Sequence, residues 1–263
     1  MILRRLGNKK KIADKIQQYF PPHKIYIEPF FGAGGMFFNK PKAKYNIVND
    51  LDSDVFNLFQ VVINQKEELE KSFYMMPIHS DLLNFWKKNI ETEPIKKALR
   101  FLFLSNCTYL GKQDTLSYTA VDTPKSVFFD NIDLCFYMLN NVKLNNSDYK
   151  KFIKNISFTN FDFGKISTQR QDSLIYADSP YLATVDTYKD SDTWTEEDSK
   201  ELFDTLEETG CKFAMSEFDH PFILEQAKQR NLNVIIIGER QNLKNRRTEI
   251  LVTNYKNNQQ VLF

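Results

Sequence analysis

Four consecutive residues, Asp178-Ser179-Pro180-Tyr181, carry the most specific chemistry in this chain. They follow a short apolar run, Leu174-Ile175-Tyr176-Ala177, that reads as a buried strand. An acid, a rigid turn and an aromatic ring at the carboxyl end of such a strand can grip a flat ring bearing an amine. The Asp178 carboxylate accepts one N–H, and a backbone carbonyl of Ser179 or Pro180 accepts the other. Tyr181 stacks on the ring, an interaction worth about 1–3 kcal/mol per base. An exocyclic amine is a poor nucleophile because its lone pair is delocalised into the ring. Two preorganised acceptors localise that pair for attack on a methyl sulfonium and stabilise the charge that develops. A base inside a duplex cannot reach such a pocket, so it must be flipped out at a cost of a few kcal/mol.

A second constellation lies nearer the N-terminus. Gly32, Gly34 and Gly35 follow a predicted strand and precede a helix start. The dinucleotide fingerprint needs a further glycine at position 37, where Phe37 stands, so a nicotinamide or flavin enzyme is not supported. The turn still lets a small ligand approach the backbone closely. Asp50, 18 residues beyond Gly32 at the end of the next strand, can accept both hydroxyls of a ribose. Arg and Lys at positions 4–15, with Arg240, Lys244, Arg246 and Arg247, are candidates for phosphate contacts that offset base flipping.

Elements must position these groups. The spacing of Ile12, Ile16 and Tyr19 or Phe20 predicts a helix over 9–20, stopped by Pro21-Pro22. Strands are predicted at 25–27 and 45–48, followed by one helix of about 20 residues with Val55, Leu58, Phe59, Val62 and Ile63 on one face. Residues 77–150 differ in texture, with helical patterns at 81–90, 94–105 and 130–142 around an irregular polar stretch, 106–125. Strands are then predicted at 156–159, 174–177, 212–216, 234–237 and 250–253, with a helix at 221–230 and one capped by Thr195 and closed by Gly210. Alternating strands and helices imply an α/β fold with an open, mostly parallel sheet.

Composition sets the outer bounds. A hydrophobic fraction of 42%, with 23 Phe and 12 Tyr against 8 Gly, describes a packed protein. No run approaches the roughly 20 apolar residues of a membrane span, and no apolar segment follows the basic N-terminus to make a secretory signal. Cys107, Cys135 and Cys211 are isolated and His is scarce, which points to a reducing, cytoplasmic setting without a metal site. The net charge of +1 hides segregation: residues 1–15 carry +5 and residues 186–208 carry −8. A neutral total therefore does not exclude a polyanionic partner.

Taken together, these features resemble the Dam-like (class alpha, D12) S-adenosylmethionine-dependent DNA adenine-N6 methyltransferases, over nearly the whole chain. Leu6-Gly7-Asn8-Lys9 looks like the family's N-terminal cofactor motif and would place Lys9 near the methyl donor's carboxylate end. Arg5 stands where the family often has an aromatic residue. Glu28-Pro29-Phe30-Phe31-Gly32-Ala33-Gly34 matches the cofactor turn, implying contacts from Glu28, Phe30, Gly32 and Gly34. Asn49-Asp50 matches the ribose-binding acid, and Phe158 to Phe163 is similar to the segment whose acid, here Asp162, contacts the cofactor's adenine. Asp178 to Tyr181 is the catalytic motif, with Asp178 also at the cofactor, and the stretch from Arg247 to Tyr255 looks like the last strand. Ser179 departs from the more frequent second proline but keeps the backbone carbonyl.

The resemblance implies a Rossmann-like seven-stranded methyltransferase sheet formed by 1–76 and 151–263, with an inserted, mainly helical target-recognition lobe at 77–150. It implies double-stranded DNA as partner, with contacts from Arg4, Tyr109, Lys112, Gln113, Tyr188, Arg246 and Arg247. Tyr109, Lys112 and Gln113 sit on a glycine-containing loop that can form a hairpin, while Tyr188 and Trp194 stand where they can close over a flipped base. A bacterial or phage-encoded enzyme, monomeric or weakly dimeric and paired with a cognate restriction endonuclease, is the setting it suggests. Cytosine N4, RNA adenine, a protein amide, or a catalytically impaired DNA-binding homologue are the alternative readings. Carbon-5 methylation of cytosine is disfavoured, because it typically needs a Pro-Cys nucleophile and no cysteine here follows a proline.

Overall fold

The computed structural model of the chain describes residues 1–5, 7–117, 125–158, 161–162, 165–166, 169–182, 194–241 and 246–256. Its strands are β1 (Ile25–Glu28), β2 (Tyr45–Asn49), β3 (Val142–Asn145), β4 (Phe161–Asp162), β5 (Lys165–Ile166), β6 (Ser173–Ala177), β7 (Lys212–Phe218), β8 (Asn233–Gln241) and β9 (Arg246–Thr253). The helices are α1 (Ala13–Gln17), α2 (Ser53–Asn64), α3 (Lys66–Met75), α4 (Ser80–Lys88), α5 (Pro94–Asn106), α6 (Ser126–Phe129), α7 (Ile132–Leu139), α8 (Tyr149–Lys154), α9 (Glu196–Glu208) and α10 (Pro221–Gln229). Among the described residues no helix is long and apolar enough to cross a membrane.

Seven strands form one sheet in the order β3-β2-β1-β6-β7-β9-β8. Pairing is parallel for β1 with β2, β1 with β6 and β6 with β7, and antiparallel for β9 with β7 and β8. This is the expected α/β, Rossmann-like sheet. Strand order reverses at β1, which has β2 on one side and β6 on the other. In open α/β sheets, ligands bind beyond the carboxyl ends of the strands at such a reversal.

By compactness the chain divides into two units. One comprises Met1–Lys11, Phe31–Lys40 and Asp50–Asn146, and the other comprises Ile12–Phe30, Pro41–Asn49 and Ser147–Phe263. In the second unit, all five residues of β6 are buried, as an unbroken apolar run requires when both faces of a strand are covered. Ile175, Phe213, Met215 and Ile250 from the sheet share a core with Phe152 of α8, Leu202, Phe203 and Leu206 of α9, and Ile223 of α10. A capping box starts α9: Thr195 Oγ1 accepts the Asp198 N–H at 3.2 Å and Asp198 Oδ2 accepts the Thr195 N–H at 2.9 Å. Gly210, at φ +64°, closes it. In the first unit, Phe31, Phe37, Phe38 and Phe59 form a cluster of rings with centroids 5.0–5.8 Å apart.

Four local expectations need correction. The helix expected over 9–20 shrinks to Ala13–Gln17, because Lys9 is buried in the segment before it and tighter turns close residues 16–20. The single helix of about 20 residues is two, α2 and α3, broken where Gln65 leaves helical geometry at φ −142° and ψ 36°. The pattern expected over 130–142 ends at Leu139, and after Asn141, at φ +59°, the chain enters β3. The strand expected over 156–159 is absent from 156–158; Ile156 and Phe158 pack on the core as part of the irregular stretch after α8, and β3 supplies the seventh strand.

Candidate active site

The candidate residues sit at the ends of neighbouring parallel strands. Glu28 ends β1, Asn49 ends β2, and Asp178 immediately follows β6. Asn49 is buried and cross-links the loops: its Nδ2 donates to the carbonyls of Pro29 at 3.0 Å and Ser147 at 2.9 Å, and its Oδ1 accepts the Ser147 N–H at 3.1 Å. Glu28 is also buried and accepts the Tyr26 hydroxyl at 2.8 Å. Phe30 is half-buried, 5.1 Å from the Tyr149 ring and edge-on to Trp194 at 6.2 Å. Trp194 packs on the core, and its indole N–H donates to Ser199 at 2.9 Å.

The glycine turn and Asp50 meet directly. The Gly32 N–H donates to Asp50 Oδ2 at 2.5 Å, and the Asp52 N–H donates to Asp50 Oδ1 at 2.9 Å. Each carboxylate oxygen therefore has a backbone donor and keeps further acceptor capacity. Burial raises the Asp50 pKa, opposed by the Arg5 charge and by the Asp52 and Gly32 N–H bonds. Arg5, where the sequence motif usually has an aromatic ring, forms a 3.0 Å ion pair with Asp52. Gly34, at φ +71°, turns the chain where a Cβ would lie 2.4 Å from the Phe38 ring. At Gly35 a Cβ would lie 2.1 Å from Asn8 Oδ1 and 3.0 Å from the Lys9 nitrogen. The Gly7-Asn8-Lys9 segment thus packs on the glycine turn, with the Lys9 side chain buried. Over Gly32 a Cβ would meet nothing within 4 Å among the described residues.

Around Asp178 the surroundings are aromatic. Asp178 and Pro180 are half-buried, whereas Ser179, Tyr181 and Leu182 are buried. Tyr26, Tyr176 and Tyr181 all have phenol pKa values pushed well up, first by burial, with the Asp178 charge contributing to each. Tyr181 donates its hydroxyl to Glu249, and its ring lies edge-on to Phe218 with centroids 4.7 Å apart. The three cysteines are buried, and burial raises the Cys107 thiol pKa to about 12, so none is poised as a thiolate. Among the described residues no group of three or more His, Cys, Asp or Glu is arranged to hold a metal.

Residues 6–243 match the family described as D12 class N6 adenine-specific DNA methyltransferase. The chain belongs to this family. A type II methyltransferase, M1.LlaDCHI of Lactococcus lactis subsp. cremoris, is 25% identical over 284 residues, covering 95% of this chain and 94% of the relative. A DNA adenine methylase of Haemophilus influenzae is 28% identical over 192 residues, covering 68% of this chain and 63% of the relative. One from Serratia marcescens is 31% identical over 115 residues, covering 41% and 42% respectively. The chain therefore spans nearly all of the first relative and less than two thirds of the other two.

The remaining expected site residues of this D12 chain are dispersed. In the first unit, residues 108–116 form a small hairpin: Thr108 bridges Leu116, the Tyr109 N–H donates to the Thr115 carbonyl at 2.8 Å, and the Gln113 N–H donates to Thr108 Oγ1 at 3.0 Å. Tyr109 is 57% exposed at its start, Lys112 is exposed and Gln113 is half-buried. The Arg4 N–H donates to Asn106 Oδ1 at 2.8 Å, which brings the Arg4 backbone beside the Gly111 turn. In the second unit Arg247 is half-buried, with its guanidinium 5.3 Å from the centre of the Phe218 ring. Leu6, Tyr188 and Lys244 lie outside the described residues, as do the side chains of Asp162, Arg240 and Arg246. Three residues escaped the sequence reading: Asn106, Glu217 and Glu249 are buried and each binds a candidate segment. An isolated acid within an apolar strand, as in Glu249-Ile250-Leu251-Val252, is the signal that flags such a residue.

Proposed function

We propose that this D12 methyltransferase takes its methyl group from S-adenosylmethionine and delivers it to N6 of an adenine flipped out of a specific duplex DNA sequence. The observation that carries this reading is the bond between the Gly32 N–H and Asp50, which couples the glycine turn to the acid expected to hold a ribose. Both Asp50 oxygens are anchored by backbone N–H groups and retain capacity for the two ribose hydroxyls. We further assign Lys9, Glu28, Phe30, Gly32 and Gly34 to donor binding, with Asp162 for the donor's adenine. When bound, S-adenosylmethionine supplies an electrophilic methyl on its sulfonium.

Asp178 accepts one N–H of the target amine, and a carbonyl of Ser179 or Pro180 accepts the other. Nitrogen then forms its bond to the methyl carbon as the carbon–sulfur bond breaks, and Asp178 receives the proton that nitrogen sheds. Tyr181 supplies the aromatic wall. We assign target recognition to the 77–150 stretch and catalysis to 1–76 with 151–263, with the end of the inserted stretch, β3 (Val142–Asn145), completing the catalytic sheet. The exposed hairpin with Tyr109 and Lys112 supports that division, with Arg4, Gln113, Tyr188, Arg246 and Arg247 as further DNA contacts. Likeness to a type II methyltransferase supports a modification role beside a restriction endonuclease. N6-adenine specificity of the family disfavours cytosine N4, RNA adenine or a protein amide as acceptor.

The test is transfer of labelled methyl from S-adenosylmethionine into adenine-rich duplex DNA, with mass analysis of the nucleosides. Asp178→Ala should lower the rate by about 10²-fold or more, the scale of losing a preorganised acceptor at the reacting group. Equal incorporation by both proteins would remove Asp178 from its role, and a product other than N6-methyladenine would refute the acceptor.

A further inference from the structure

We infer that Glu217 and Glu249 are positioning residues that clamp the turn bearing Asp178, supplying the rigidity that a proline at position 179 would otherwise give. This rests on the role proposed above for Asp178. Beyond β6 the chain turns through Asp178, Ser179 and Pro180 and is then held at two successive residues. Tyr181 donates its hydroxyl to Glu249, and the Leu182 N–H donates to Glu217 Oε1 at 2.6 Å. Glu217 Oε2 accepts the Phe218 N–H at 2.7 Å, which fixes the carboxylate to its own strand.

Both anchors stand on neighbouring rungs of one strand pair. Phe218 of β7 faces Glu249 of β9, and Glu217 faces Ile250. The first rung grips Tyr181 twice, through the Phe218 ring edge and through the Glu249 carboxylate. Each glutamate is 2% exposed. Burying a carboxylate is costly unless hydrogen bonds compensate it, and here the compensating donors include, beside the Phe218 N–H, the hydroxyl of the motif's tyrosine and the N–H of the residue after it. The raised phenol pKa of Tyr181, due first to burial and then to the charges of Asp178 and Glu249, keeps its hydroxyl protonated as a donor.

Ser179 is the reason such a clamp matters. A proline there would hold φ near about −65° by its ring. Serine lacks that ring, and although Pro180 restricts it to extended geometry, its own φ is less tightly fixed, so the placing of the carbonyls that accept the amine proton depends more on how the ends of the turn are held. The upstream end is β6, buried along its whole length. The downstream end is the Glu249 and Glu217 pair. Misplacement of reacting groups by about 1 Å can cost roughly a hundredfold in rate, so the two bonds act on turnover more than on binding of the donor.

The experiment uses the full chain with Glu249→Gln, Glu217→Gln, Ser179→Pro and the Glu249→Gln/Ser179→Pro double variant. Four quantities are read: single-turnover methyl transfer to adenine-rich duplex DNA, affinity for S-adenosylmethionine, amide exchange of peptides spanning 178–182, and the thermal midpoint. Each glutamine variant should lose about tenfold to a hundredfold in rate, keep donor affinity within about threefold, and exchange faster over 178–182. Adding Ser179→Pro to Glu249→Gln should recover most of the rate without restoring the thermal midpoint, which a purely structural glutamate would not allow. Unchanged rates, or no recovery with proline, would overturn the inference. If Glu249→Gln does not fold, Tyr181→Phe removes the same bond and carries the same expectations. If the wild-type protein transfers no methyl group, the reading of Asp178 fails instead. In that case unaltered exchange over 178–182 in the glutamine variants would overturn the clamp, and faster exchange would uphold it.

Discussion

Replacing Asp50 by alanine removes the acceptor of two backbone N–H groups, Gly32 at 2.5 Å and Asp52 at 2.9 Å. A hydrogen bond to a charged group contributes about 1.5–3 kcal/mol net. The wild-type protein already bears a cost at this site, since burial raises the Asp50 pKa, and deleting the carboxylate removes that cost. The net loss of stability is therefore nearer one such bond than two, about 2 kcal/mol, or roughly 4–8 °C in thermal midpoint for a chain of this size. Donor binding should suffer more. The ribose diol would lose two charge-assisted bonds, and about 3 kcal/mol corresponds to roughly a hundredfold in Kd. Asp50→Asn keeps one acceptor oxygen and should lose about tenfold. Isothermal titration with S-adenosylmethionine, beside thermal unfolding, separates the two effects. Donor affinity within about threefold of wild type in a folded Asp50→Ala protein would refute the ribose role.

Two further outcomes follow from the same turn. The folded-state pKa of Asp50 lies above its unfolded value, so its contribution to stability is fully present below the unfolded pKa and lost as pH rises through the folded one. Donor affinity runs the other way, because only the carboxylate can accept both hydroxyls: Kd should rise on acidification starting above the ordinary aspartate value of about 3.9, and the same titration on Asp50→Asn should be flatter. Gly34→Ala places a Cβ 2.4 Å from a ring carbon of Phe38 at φ +71°, in a cluster where Phe31, Phe37 and Phe59 prevent the ring from swinging away. Left-handed backbone costs about 1–2 kcal/mol and overpacking about 1–3 kcal/mol, so denaturant unfolding should show a loss of about 2–5 kcal/mol; a loss under about 1 kcal/mol would mean the turn relaxes at little cost.

The sequence by itself determined most of the sheet's strands and the order of its chemical groups. Buried strands such as Leu174 to Ala177 announce themselves by unbroken apolar character, helix starts such as Thr195 by side chains that satisfy backbone donors, and the turn at Gly34 by a residue type that tolerates positive φ. All of these are local properties, legible from neighbours in the chain. Tertiary structure decided what local patterns cannot carry. Val142–Asn145 is only half-buried and short, yet it fills the sheet edge while residues 156–158 of the expected strand do not join the sheet, because strand membership depends on a partner far away in sequence. The meeting of Gly32 with Asp50, and of Asn8 and Lys9 with Gly35, likewise depends on chain closure over many residues. Tyr181 shows the difference most directly. Its place in the motif was plain from sequence, but the two carboxylates that hold it and its neighbour lie 35 and 68 residues away and read in sequence as ordinary acids. Only the antiparallel pairing of β7 with β9 brings them together, because register sets which distant side chains share a rung.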